Sequence, residues 1–119
     1  MVSSRIVANT EYVKANAALV KRFMSATTKA IEAAEKDARG AAQSILDANP
    51  KGGKIETLTQ GFELTIPLYR TAETKGKRPF QVTDANMTDS VNLMVEYVGF
   101  ETKAQDNTKA FYTNDCLRQ

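Results

Sequence analysis

The side chains able to do chemistry in this 119-residue chain are few and scattered. Histidine is absent, which removes the commonest general base, the histidine-containing nucleophilic triads and every zinc site with imidazole ligands. Cys116 is the only cysteine, so there is no intrachain disulfide and no thiol pair for redox work. Asp84 and Asp89 form a carboxylate pair, but both sit at the start of an expected helix, where negative charge complements the helix dipole. The run Lys51-Gly52-Gly53-Lys54 offers glycines beside cations. It lacks the GxxxxGK[ST] spacing and the preceding strand of a phosphate loop, and reads as a connector. Lys75, Lys77 and Arg78 cluster with Arg70 near Phe80, a combination that in denser form marks nucleic-acid binding; here it reads as a solvated loop. No nucleophile stands beside a base, no metal-ligand cluster is spaced for coordination, and no glycine-rich cofactor turn is present. The catalytic and metal-ligand sets are therefore empty, no cofactor is expected, and the chain reads as a non-enzyme.

The elements that would position these groups are helical. The stretch 17–36 contains neither glycine nor proline, and Leu19, Phe23, Ala26, Ala30 and Ala34 recur at helical steps beside the row Val20, Met24, Thr27 and Ile31. The opposite face is Lys21, Arg22, Ser25, Lys29, Glu32, Glu35 and Lys36. Asp37 is placed to cap a second helix over 38–48, which Asn49-Pro50 ends. Ile55, Leu58, Phe62, Ile66 and Tyr69 predict a helix over 55–69, with a kink or stop near Ile66 because Pro67 lacks an amide proton. Thr83 or Asp84 caps a fourth helix over 84–98, whose row is Met87, Val91, Met94, Val95 and Val98 and whose exit is Gly99. Asn9 or Thr10 caps a short turn before the long helix, and 3–9 has the composition of a short strand, which needs a partner. The segment 101–109 reads as a polar linker, and Phe111, Tyr112 and Leu117 as an anchor for a last short helix. The expected fold is mainly α, with four main helices plus one short N-terminal strand in a single helical domain over 1–119.

Sixteen basic and fourteen acidic residues leave a net charge of +2, too balanced to pull the chain toward nucleic acid or an anionic membrane. No apolar run approaches the roughly 20 residues of a membrane span, so membrane insertion is not expected, and the first residues lack the apolar core of a secretory signal.

Three motifs, in order, resemble those of a known family. The first is RIVANTEYVKANAALVKRFMSATTKAIE (5–32), with Asn9, Tyr12, Val13, Asn16, Leu19, Val20, Arg22, Phe23, Ala26 and Thr27 in pattern. The second is DANMTDSVNLMVEYVG (84–99), and the third is the ending FYTNDCL (111–117), close to a terminal YTNEFL-like signature. Together they resemble the C-terminal portion of the periplasmic solute-binding proteins of ABC importers, in the group that binds nitrate, taurine or other alkanesulfonates, and thiamine-pyrimidine precursors. The family commonly has proline after the asparagine at the Asn16 position, where this chain has Ala17. Its chains are also much longer than this one.

The resemblance implies part of a type II periplasmic-binding-protein fold, a periplasmic parent protein, and as partners the missing lobes and, at full length, an ABC permease. Most ligand contacts of such proteins come from lobe regions that have no counterpart here. Asn9 is the single ligand-binding candidate, and helix capping is its competing role. The chain alone is expected to bind no importer ligand tightly and to self-associate as a twofold homo-oligomer through 3–9 and its apolar helix faces. The alternative, from a different class, is a helical oligomerisation or interaction module with no transport role.

Overall fold

Asn9 begins the first helix by accepting a 3.0 Å hydrogen bond from the Tyr12 amide on its side-chain oxygen. The computed structural model describes residues 5–117. Helix α1 spans Thr10–Ala15, α2 Ala17–Lys36, α3 Ala38–Ala48, α4 Ile55–Thr65 and α5 Asp84–Leu93. The protein is mainly helical, and no strand occurs among the described residues. The strand expected over 3–9 is thus corrected for 5–9, where the described backbone forms no strand and Ile6 and Val7 are exposed. A strand exists only when another backbone satisfies its edge groups. Ser3 and Ser4 lie outside the described residues.

Most helix boundaries follow local chemistry. Asn16 leaves helical geometry between α1 and α2 (φ −127°, ψ 33°) while its amide and side-chain nitrogen both donate to the Tyr12 carbonyl. The break therefore forms with Ala17 in place of proline. Asp37 is non-helical (φ −146°, ψ 83°) and accepts from the Gly40 amide at 2.8 Å, opening α3. Beyond α4, Ile66–Tyr69 tightens into a 3₁₀ turn around Pro67, because proline supplies no amide to the helical ladder. Thr83 caps α5 by accepting from the Asn86 amide. From Met94 to Val98 the helix widens into a π turn, and Gly99 ends it at φ 82°, a left-handed conformation that glycine adopts without a Cβ penalty. The expected continuous helices over 55–69 and 84–98 are each an α-helix finished by a turn of different pitch. The stretch read as a polar linker after Gly99 is also ordered, as 3₁₀ turns over Thr102–Phe111 broken at Asn107.

The described chain groups into two units, Met1–Met24 with Phe80–Gln119, and Ser25–Pro79. In the first unit the core is Val82, Met87 and Val91, with Val95, Ala104 and Tyr112 packed against it. Asn86 and Ser90 are buried beside these residues, and the Ser90 hydroxyl donates back to the Asn86 carbonyl at 2.7 Å. In the second unit α3 packs against α4, and Ala42 is fully buried. Alanine there leaves little bulk, so two helix axes can approach closely.

Helix α2 covers one of the two apolar rows that its spacing predicts: Met24 and Ala34 are buried and Val20, Thr27 and Ile31 half-buried, while Leu19, Phe23, Ala26 and Ala30 of the other row are exposed. Thr28 is buried as well, and Ser25, Glu32 and Glu35 on the polar side are half-buried. Long-range ion pairs supply the cover at Glu32 and Glu35. Arg70 clamps both carboxylate oxygens of Glu35, its Nη2 donating at 3.0 Å, and Arg78 does the same to Glu32 at 2.7 and 3.1 Å. These pairs fasten 70–79 to the Glu32–Glu35 part of α2, which belongs to the same unit, and the polar side there becomes partly covered.

Candidate functional site

The functional groups singled out in the sequence are each engaged or exposed locally. Asn9 is exposed and spends its side-chain oxygen on the α1 cap. The connector 51–54 is a turn held by the Gly52 amide donating to the Asn49 carbonyl. Of the basic group near Phe80, Arg70 and Arg78 are engaged by Glu35 and Glu32, whereas Lys75 and Lys77 are exposed on the loop. Asp89 is exposed on α5. No group of three or more Asp, Glu or Cys side chains converges as a metal site would require among the described residues.

Asp84 meets two side chains from the C-terminal stretch. It stands in the first turn of α5, where the capping Thr83 fixes the backbone. One carboxylate oxygen accepts the Tyr112 hydroxyl, and the other lies 3.4 Å from the Lys109 ammonium. The Tyr112 hydrogen bond, more than the Lys109 charge, holds the Asp84 carboxyl below the usual aspartate range. The same bond raises the Tyr112 phenol above its ordinary value, since removing its proton would place two negative charges together.

Two residues further along, Asn114 reaches the segment leading into α5. Its side-chain oxygen accepts from the Val82 amide at 3.1 Å and its side-chain nitrogen donates to the Val82 carbonyl at 2.8 Å. Gln105 donates to Asn92 at 2.9 Å, and the Thr88 and Thr108 hydroxyls approach to 3.4 Å.

Chemically, this constellation fastens rather than reacts. A carboxylate held ionised is a poor proton donor, and a phenol with a raised pKa is a poor nucleophile. Comparison with family models, curated proteins and solved structures finds no match. The constellation is thus read on its own geometry, as a polar clasp that binds 105–114 to 82–92. Sequence inspection missed it, because Asp84 is separated from Tyr112 by 28 positions and Val82 from Asn114 by 32. The available signal was the Tyr-Thr-Asn run of the ending, which has the polar side chains for such a clasp but does not name their partners.

Proposed function

We propose that the chain is the C-terminal portion of a substrate-binding protein of an ABC importer for a small solute of the sulfonate, nitrate or pyrimidine kind, and that it does not bind that solute alone. The observation that carries this reading is the meeting of the motifs behind the resemblance. The second motif contributes Asp84 and the third contributes Tyr112 and Asn114; Tyr112 bonds Asp84, and Asn114 pairs with Val82, two residues before the second motif begins.

The mainly helical fold suits the reading, and so does the supply of uncovered apolar side chains. Tyr97, Val98, Phe100 and Phe111 are exposed in the first unit, and no large side chain among the described residues is fully buried. Under this reading these side chains are available for contact with further protein. A solute cleft needs two walls, and under this reading the second belongs to the missing lobes, with a permease as the further partner of the whole periplasmic protein. Asn9 remains the one ligand candidate, set against its observed capping bond.

Calorimetric titration with nitrate, an alkanesulfonate and a pyrimidine tests the reading in two forms of the protein. The chain alone is expected to give no saturable heat, and the chain joined to the N-terminal lobe of a family member is expected to bind one of the three. Micromolar binding by the chain alone would overturn the claim that it is incompetent. Reversible self-association with no ligand response in either form would favour the helical interaction module.

A further inference from the structure

The exit of α5 leaves four bulky apolar side chains in solvent over the short stretch 93–100. Leu93, Tyr97, Val98 and Phe100 are all exposed, and Tyr97 keeps 72% of its surface open. All four belong to the first unit. Leu93 and Tyr97 stand one helical turn apart, and the Phe100 amide donates to the Met94 carbonyl at 3.2 Å, which keeps Phe100 at the same end of the helix after the reversal at Gly99.

The charge around these residues has one sign. From Asp84 to Asp106 the chain carries Asp84, Asp89, Glu96, Glu101 and Asp106 against Lys103 alone. Asp84 is engaged by Tyr112 and Lys109, but Asp89, Glu96 and Glu101 are exposed and join no ion pair among the described residues. Asp89, Leu93 and Glu96 follow one another at steps of four and three, which sets both carboxylates on the side of the helix that carries Leu93. The last turn holds Glu96 and no basic residue, so the partial negative charge of the helix end is reinforced by a carboxylate.

We propose that this end of α5 docks a basic amphipathic helix of another protein. The apolar side of such a helix would cover Tyr97, Val98 and Phe100, with the exposed tyrosine as the anchor. Its arginines would lie opposite Asp89, Glu96 and Glu101, and a guanidinium can also stack on an aromatic ring. That complementarity selects a basic partner over a neutral one. The whole chain carries +2, so attraction for a cation comes from this patch and is opposed by the overall charge. Four side chains supply on the order of a few hundred Å² of apolar area, which suits a reversible contact.

A second copy fits less well, because a twofold contact would lay the patch on its own equivalent and bring Glu96 and Glu101 against carboxylates. An anionic lipid surface is repelled by the same groups. The inference stands on residues 89–101 and does not depend on the transport reading.

The test uses a labelled probe peptide of about four helical turns, with leucine along one side and arginine along both flanks, titrated against the full chain by fluorescence anisotropy. The same peptide with glutamate flanks, phosphatidylglycerol and phosphatidylcholine vesicles, and sedimentation of the chain alone are run beside it. The arginine-flanked peptide is expected to bind, with affinity falling by about tenfold as salt rises from roughly 50 to 500 mM. Glu96→Gln combined with Glu101→Gln, which removes charge and little else, should weaken binding by about fivefold or more. Tyr97→Ala should weaken it by about tenfold. Glu56→Gln combined with Glu63→Gln makes the same charge change at exposed positions of α4 and should leave binding unchanged. The substituted side chains are exposed, so far-ultraviolet spectra of all three variants should match that of the parent chain. No binding of the arginine-flanked peptide, equal binding of the glutamate-flanked one, or an equal loss from the α4 substitutions overturns the proposal. So does vesicle binding or self-association that Tyr97→Ala abolishes.

Discussion

Asn114 and Val82 exchange two hydrogen bonds, the side-chain amide of one matching the backbone amide and carbonyl of the other as a neighbouring strand would. Val82 is 7% exposed and belongs to the small core of its unit. Its backbone groups therefore have little access to water if the partner is removed.

Replacing Asn114 by alanine should consequently destabilise the first unit by about 1–3 kcal/mol, the cost of leaving buried backbone groups without partners. Asn114→Asp keeps an acceptor for the Val82 amide but loses the donor to its carbonyl, and should fall between. Urea unfolding followed by tyrosine fluorescence measures both, and equal midpoints for all three proteins would show that the pairing is incidental.

The Asp84–Tyr112 contact should give the clasp a pH window. Asp84 has its pKa lowered on folding, so its contribution is present above the unfolded aspartate value and is lost as pH falls through the folded one. Tyr112 has its pKa raised, so its contribution is complete below the unfolded tyrosine value and is lost as pH rises through the folded one. Amide protection factors over 102–117, which divide out the intrinsic pH dependence of exchange, should therefore be largest between the two limits and fall at both. In Tyr112→Phe the alkaline limb should vanish, and its persistence would assign that limb to another group.

Arg70 and Glu35 are both largely covered, with side chains 25% and 19% exposed. Arg70→Ala should cost about 1–2 kcal/mol, more than an exposed ion pair and less than a deeply buried one. Arg70→Lys should recover only part, because an ammonium cannot make the paired contact of a guanidinium. The matching change at Arg78, which is 44% exposed, should matter less. Thermal unfolding ranks the three variants.

Two glycines in helices should respond oppositely to alanine. At Gly61 an added Cβ meets nothing within 4 Å, and Gly61→Ala should stabilise by about 0.5–1 kcal/mol through helix propensity. At Gly40 the same Cβ would lie 2.2 Å from an Asp37 carboxylate oxygen, displacing the side chain that caps α3. Gly40→Ala should then gain nothing or lose stability, since a lost cap costs about 1 kcal/mol. Melting curves of the two single variants check the contrast.

The sequence by itself determined what is local. Capping by Asp37, by one of Asn9 and Thr10 and by one of Thr83 and Asp84, the stops at Asn49-Pro50 and Gly99, the change of pitch near Ile66, and helices α2 and α3 all follow from side chains within a few positions of the backbone they act on. Tertiary structure decided whatever depends on residues distant in the chain. Of the two apolar rows on α2, the one through Met24 and Ala34 was covered and the one through Leu19, Phe23, Ala26 and Ala30 was not, and Arg70 and Arg78 extended the cover to Glu35 and Glu32. Tyr112 and Asn114 chose Asp84 and Val82 from many available acceptors and donors. Periodicity says that a helix has faces, and a cap says where it starts. Only the meeting of distant charges and amides, each losing water and needing a replacement, selects which face is buried and which carboxylate is held.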